Sequence, residues 1–544
     1  MKVLEKYIKQ INAVNPFWIA LVLYFVFVGI SLMTYNYRPL ACDMSEYLNN
    51  PLRILNGDIP YINFWLLFPP GEVYFPALIY KLFGINTDTV RIITILASCL
   101  VPFAGFYLGR NLFGENTKSI ITASMLYFFS VVTNYEGPDY ISLYLLFIVL
   151  AVIYLIKFIK NDFKAANYIF LSGLMMGFAF LFKLYEVGGV FVAFLLFIIW
   201  YSLKDGFQKK DILKFCFVFV MPSILFLLAL IIAFGNHAGK MMSELFLESV
   251  RNGTSMNLPY FNDLFYVAKS INMDIVAIFS SGQYSMLFNL FYHLMKFAVV
   301  LGYYLVPIAG SLIFLGYYFV KPGKERLAIA SLIFLWALLS FPKALGRSDL
   351  AHLAPSVAPF MIFIYYVVVK SGQGIFRRFS MVLIGVMFLS ITFPFFKAFS
   401  ILTHPLYYVY TDKGAVPFKE EKDMLDFRQT INFIVNNTNN DDYIFVTPWD
   451  APPIYALTGL RNPTYYDSLN DLMIRHSDEK QKLIIKDIIK HKTKYIIHNA
   501  DWGYDNKPEQ QFLRACNLLQ KFINERCTPV AQFGFYTIYE VKNF

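Results

Sequence analysis

The sequence predicts an α-helical polytopic membrane protein, with about eleven transmembrane helices and a C-terminal α/β domain. Three observations lead there: apolar runs of spanning length recur along the first part of the chain, Lys and Arg gather in every second connection, and the composition changes after Phe396. Of 544 residues, 57% are hydrophobic and 15% charged, with a mean hydropathy of +0.50. A soluble domain is roughly a quarter charged, so this chain belongs to another class.

The apolar runs are Pro16–Thr34, Val90–Leu108, Ser119–Thr133, Ile141–Ile156, Tyr168–Phe182, Val187–Tyr201, Phe215–Phe234, Phe297–Val320, Leu327–Phe341, Leu353–Val369 and Met381–Phe396. The first carries no small-residue cleavage site behind it and reads as a span rather than a removable leader. Basic residues then sort by side. Lys2, Lys6 and Lys9 precede the first span, and Arg110, Lys118, Lys157, Lys160, Lys164, Lys204, Lys209, Lys210, Lys214, Lys321, Lys324, Arg326, Lys370, Arg377 and Arg378 fill alternate connections. The net charge of +10 therefore reports orientation and implies no nucleic-acid partner. It places the N-terminus in the cytoplasm and the C-terminal domain outside a plasma (inner) membrane.

The expected domains are a membrane part, residues 1–396, with outer loops 36–89 and 235–296, and an extracytoplasmic α/β domain, residues 397–544. In the latter, Phe427, Ile431 and Ile434 follow helical spacing. Tyr443–Val446, Tyr495–His498 and Phe535–Val541 read as strands, with helices around Lys480–Ile489 and Pro508–Asn524. The aromatic stretch that runs on from Val446 to Tyr466 reads most simply as buried in this domain's own core. Cys516 and Cys527 are eleven apart near the second of these helices, and if that helix were unbroken they would stand about 16 Å apart, too far for a disulfide.

Polar chemistry concentrates in the loops opposite the basic ones. Asp43 and Glu46, in CDMSEY, stand three apart, so one helical turn would put both carboxylates on one face. A carboxylate at an apolar boundary can be tuned into a general base, although a solvated loop acid is the commoner occupant of such a position. Asp139 lies in the short acidic loop NYEGPDY. Lys183 and Glu186 stand at the outer end of a predicted span, where a lysine runs against the charge trend. Either it snorkels beside Glu186 or it serves as a fixed cation. Arg347, Asp349 and His352 form another outer cluster, and arginine suits bidentate contact with phosphate. Walker loops, GxGxxG after a strand, HExxH and CxxC are absent from the sequence, so it carries no nucleotide or zinc signature.

The first outer loop continues from Asp43 through Gly57, Pro60–Tyr61, Phe64, Pro69–Pro70–Gly71 and Lys81–Leu82–Phe83–Gly84 to Arg91. This ordered set resembles the first outer loop of the GT-C superfamily of glycosyltransferases, particularly its bacterial members of the dolichyl-phosphate-mannose-protein mannosyltransferase and aminoarabinose-transferase type. One departure is plain: many members carry two adjacent acids, whereas Met44 and Ser45 separate Asp43 from Glu46 here.

The resemblance implies a GT-C-like fold and a membrane glycosyltransferase. Its sugar donor would be a polyprenyl phosphate, its acceptor a hydroxyl of a glycan, lipid or protein, and transfer would occur on the outer face. It also implies an inverting displacement with Asp43 as base, Glu46 and Asp139 as further acids, and Lys183, Arg347, His352, Tyr61 and Arg91 on the donor side. A phosphate-linked donor calls for little metal assistance, so no cofactor is expected. A transporter or flippase for lipid-linked sugars would explain the spans equally well. It would leave the acids and the Pro-Pro-Gly segment of one outer loop without a purpose.

Overall fold

The computed structural model describes residues 2–35, 48–66, 68–131, 143–162, 164–248, 260–281, 287–320, 322–342, 350–371, 406–447, 451–466, 477–500 and 516–542. The chain divides into two compact units. The helical unit comprises Met1–Tyr35, Ile95–Ala233 and Met256–Ser400; the mixed unit comprises Asn36–Thr94, Phe234–Ser255 and Ile401–Phe544.

Ten of the predicted spans fall on described helices, and the remaining one, Met381–Phe396, lies outside the described residues. Among the described residues six helical runs are long and apolar enough to cross a membrane: Pro16–Met33, Thr87–Phe113, Leu143–Lys160, Tyr185–Lys204, Lys209–Phe246 and Asn289–Phe319. Ala166–Phe180 and Ser356–Ser371 are shorter apolar helices. Helix ends follow local chemistry. Pro16 occupies the first turn of Pro16–Thr34, where it forfeits no hydrogen bond, and the Asn15 side chain accepts from the Phe17 amide at 2.9 Å. Gly114 closes Leu100–Phe113 at φ 79°, returning its amide to the Arg110 carbonyl and letting the chain reverse into Asn116–Leu126.

Close packing within the helical unit depends on small residues, as expected where apolar solvent supplies no drive between helices. A Cβ on Gly173 would collide with the Phe219 carbonyl, so glycine lets Ala166–Phe180 approach the backbone of Lys209–Phe234. The basic connections are tied to one another. Asn116 Nδ2 donates to the carbonyls of Ile11 and Val14 at 2.9 and 2.8 Å. Lys160 donates to the Asn111 carbonyl, Lys324 pairs with Asp205, and Arg326 Nη1 donates to the Lys370 carbonyl at 3.3 Å. The alternation read from sequence is thus realised as a shared end of the bundle.

The stretch 235–296, read in the sequence as a long loop, holds more structure than that. Asn262–Ser281 is a helix, and the next helix begins at Leu287, ahead of the predicted Phe297. Phe265, Tyr266, Met273, Val276 and Phe279 are exposed along the former, while Asp274 pairs with His293 Nδ1 of the latter at 2.6 Å. Single polar residues interrupt this aromatic run often enough to hide it from a search for unbroken apolar spans.

In the mixed unit a four-stranded sheet runs in the order β3–β4–β6–β5, from β3 (Ile444–Thr447), β4 (Tyr495–Asn499), β5 (Cys527–Phe533) and β6 (Tyr536–Val541). β3 and β4 are parallel, which requires the crossover supplied by helix Asp478–Lys490. β6 is antiparallel to both β4 and β5. Phe445, Ile484, Ile488, Ile496, Leu519, Ile523 and Val541 form the core between sheet and helices. Helix Glu421–Asn437 buries Met424, Phe427, Ile431 and Ile434, the spacing read from sequence. Helix Asn517–Arg526 lies between Cys516 and Cys527, both of them free thiols. The predicted start of that helix, Pro508, lies outside the described residues.

A hairpin of β1 (Tyr407–Thr411) and β2 (Gly414–Phe418) precedes this domain. It anchors the first loop: the Thr87 amide donates to the Lys413 carbonyl at 2.8 Å, and the Ala415 amide to Asp88 Oδ2 at 3.2 Å. Gly414 is required twice there. Its φ is 115°, and any Cβ would strike the Thr87 hydroxyl.

His498 on β4 is buried, and desolvation holds its imidazole down from 6.5 to about 4, against the smaller opposing effect of a hydrogen bond with the Thr447 backbone. The folded state therefore prefers neutral imidazole. The associated stability is complete above pH 6.5 and is lost as pH falls toward 4, to the extent of about 3 kcal/mol. We expect His498→Gln to flatten the acid branch of the stability profile of the intact protein between those values. A profile as steep as the wild type's would assign that branch to other groups.

Candidate active site

Besides the hairpin, a buried guanidinium joins the first loop to the C-terminal segment inside the mixed unit. Helix Asn50–Leu55 carries Arg53, 6% exposed, toward the turn at Gly57, whose φ of 91° reverses the chain. Arg53 Nε pairs with Asp58 Oδ2 at 2.9 Å. Nη1 donates to the Thr464 carbonyl at 2.7 Å and Nη2 to the Asn63 carbonyl at 3.1 Å, while the Phe64 ring lies 4.8 Å beneath the guanidinium. A planar fork with five donors suits this divergent set of acceptors, and a lysine ammonium could not span it.

Beside it stands Tyr465. Its carbonyl accepts from the Trp65 amide at 2.9 Å and its amide donates to Asp487 Oδ2 at 3.0 Å. Its hydroxyl makes hydrogen bonds with the Tyr61 carbonyl, 3.1 Å, and with Glu244 Oε1. Lys240 Nζ lies 3.9 Å from the centre of the Tyr465 ring and 4.0 Å from Glu244. Burial, reinforced by Glu244, pushes both the Tyr61 and Tyr465 hydroxyls well above their ordinary 10, so each remains a donor at physiological pH. The aromatic stretch thus does two things. Ile454, Tyr455, Ala456 and Leu457 bury against the domain's own core, with Tyr455 donating to the Ile444 carbonyl at 2.8 Å, while Tyr465 faces the first loop.

Of the residues singled out in the sequence, Asp43, Glu46, Asp139, Arg347 and Asp349 lie outside the described residues. His352 is placed as a position on helix Leu350–Ser371. Tyr61 is fully buried at φ 64°, and its hydroxyl donates to the Phe68 carbonyl at 2.5 Å, so it fixes the loop's course. Arg91 is 7% exposed on helix Thr87–Ser98. In the helical unit, Lys183 is 4% and Glu186 7% exposed, on either side of the start of helix Tyr185–Lys204. Burial of a lysine is costly enough to need partners close by. Arg53, Glu72, Glu244 and Tyr465 were not singled out. A buried Glu72 in FPPGEVY could have been suspected from the apolar residues around it.

Residues 68–233 match the family model of dolichyl-phosphate-mannose-protein mannosyltransferase. Among solved structures, the chain superposes on ArnT from Cupriavidus metallidurans bound to undecaprenyl phosphate, with a TM-score of 0.50 at 12% identity over 96% of this chain and 97% of that one. This protein has a GT-C glycosyltransferase fold. The chain also aligns with the archaeal oligosaccharyltransferase AglB from Archaeoglobus fulgidus, in complex with an inhibitory peptide and a dolichol-phosphate. It aligns at 11% identity with a TM-score of 0.49, over 97% of this chain and 74% of that one. No curated protein matches in sequence. The segment matched by this family model includes Arg91, Lys183 and Glu186 and begins at the Pro-Pro-Gly segment. Among the described residues no group of three or more His, Cys, Asp or Glu side chains gathers as a metal site.

Proposed function

We propose that this protein moves a sugar from a polyprenyl-phosphate donor to an acceptor hydroxyl on the outer face of the membrane. The observation that carries the reading is the mannosyltransferase family match over residues 68–233, on a chain whose fold is GT-C. The donor's tail stays in lipid, its phosphate lies at the interface and its sugar reaches water. Asp43 takes the proton of the acceptor hydroxyl. That oxygen bonds to the anomeric carbon as the bond from carbon to phosphate oxygen breaks, and polyprenyl phosphate leaves. A single displacement inverts the anomeric centre. Lys183 and Arg347 meet the charge that develops on the departing phosphate, the task of fixed cations in other transfers. Arg91 and His352 support the donor side, Tyr61 fixes the loop, and Glu46 and Asp139 supply further acids. The deciding experiment incubates purified protein with labelled polyprenyl-phosphate sugar. Cleavage of the sugar–phosphate bond supports transfer, and an intact donor appearing on the other side of a vesicle supports a flippase instead.

The phosphate role has its own test. Lys183→Ala and Arg347→Ala should each raise the donor KM while leaving the protein extractable and monodisperse. Unchanged kinetics across donor concentrations in both variants would return Lys183 to a snorkelling role. The basic connections gathered at one end support the outer placement of the C-terminal domain. A cysteine introduced at Asn439, beyond helix Glu421–Asn437, should react with an impermeant reagent added to intact cells. Reaction only after permeabilisation would invert the topology.

A further inference from the structure

Within the mixed unit, the first loop and the C-terminal domain enclose a cavity of about 510 Å³, a volume within the range of small-ligand sites. Most such sites are largely apolar, and this one is not. Asn49, Asn56, Asn63 and Asn462 line it with amides, and Tyr443, Tyr465 and Tyr466 line it with aromatic rings. A lining of this kind rejects a polyprenyl chain. It suits a ring bearing several hydroxyls, because each amide both donates and accepts and an aromatic face takes the ring's carbon-bound hydrogens.

Charge narrows the ligand further. Arg53 is committed to Asp58 and two carbonyls, and Glu244 to Tyr465 and Lys240. Asp487 of the lining accepts from the Tyr465 amide, and two further cations complete the charged set. Lys490 is exposed at the last turn of helix Asp478–Lys490, and among the described residues Arg461 pairs with Asp441 at 3.4 Å, a partner 91% exposed and solvent-screened. Next to Lys490, partial burial holds the His491 imidazole below its ordinary 6.5, and its ring packs 4.8 Å from that of Tyr443.

We propose that this cavity is the acceptor site and that it takes an acidic glycan, a sugar bearing a carboxylate or a phosphate, with its anionic group between Arg461 and Lys490. The inference rests on the transferase reading above and names its acceptor class. Both cationic side chains reach solvent, so their replacement leaves the buried network intact.

The test uses intact, detergent-solubilised protein and the double variant Arg461→Gln/Lys490→Gln. Binding is measured for four probes: a hexuronic-acid trisaccharide, the corresponding neutral trisaccharide, its phosphorylated form and an acidic tetrapeptide. An unchanged thermal transition certifies the variant's fold. At least one acidic trisaccharide should bind more tightly than the neutral one and lose about tenfold in affinity in the variant. Whichever of the two loses more identifies carboxylate or phosphate as the group held. The proposal is overturned if neutral and acidic sugars bind alike, if neither binds, if the variant binds the acidic sugars as well as the wild type does, or if the peptide alone shows the loss. Donor cleavage, assayed separately on the wild type, keeps the readings apart: cleavage without glycan binding removes the acceptor site, and glycan binding without cleavage removes the transferase.

Discussion

Asp43→Asn should lower sugar transfer about a hundredfold to ten-thousandfold, the usual contribution of general-base catalysis. The amide keeps the size of the side chain and most of its hydrogen-bonding capacity, yet it lacks the basic lone pair that removes the acceptor proton. Donor affinity should survive, because it depends on the lipid tail and on cations near the phosphate. The measurement is turnover at saturating donor, with donor binding determined separately. Glu46→Gln should have a smaller effect, since two residues separate Glu46 from Asp43 where many relatives carry adjacent acids. Near-normal turnover in Asp43→Asn, together with its loss in Glu46→Gln or Asp139→Asn, would move the base to another carboxylate. The enzyme class would stand.

The helical unit was the more legible part of the chain. Pro16–Thr34 is uninterrupted by charge and is bounded as the sequence indicated, and the alternation of basic connections reappears as contacts between Asn116, Ile11, Lys160, Asn111, Arg326 and Lys370. In these segments one physical requirement, removal of apolar side chains and backbone from water, dominates and leaves a contiguous mark. Phe427, Ile431 and Ile434 are legible for the same reason, by helical period.

The elements that escaped notice depend on something else. β5 contains Pro529 beside an irregularity in its register with β6, and β1 is a tyrosine-rich strand at the point where the composition changes. Helix Asn262–Ser281 exposes aromatic residues and buries an aspartate, which blurs both of the usual patterns. Arg53 was hidden most thoroughly. Two of its three partners are backbone carbonyls, which leave no trace in side-chain identity, and one belongs to Thr464, far along the chain. Candidate chemistry could be read around Asp43 because its motif is local, whereas the network that holds the loop to the C-terminal domain is assembled from residues hundreds of positions apart.

Arg53→Met should therefore be the most damaging substitution in the described part of the mixed unit. Methionine replaces much of the apolar stem, but it abandons the carbonyls of Thr464 and Asn63 and leaves Asp58 without its ion pair. Hydrogen bonds from a charged donor are worth roughly 1.5–3 kcal/mol each, and Asp58, being 34% exposed, recovers part of its loss through hydration. A net cost of about 2–4 kcal/mol is expected after that discount. Hydrogen exchange of residues 462–466 and 59–65 in the intact protein should accelerate by a hundredfold or more, while the sheet amides of β4 and β6 slow-exchange as before. Arg53→Lys should restore only a fraction, because an ammonium keeps the charge but cannot reach three divergent acceptors at once. If Arg53→Lys restored full protection, a point charge would suffice and the fork geometry would be incidental. If Arg53→Met left exchange in both segments unchanged, Tyr465 and its contacts with Tyr61, Trp65 and Glu244 would suffice to hold these segments together.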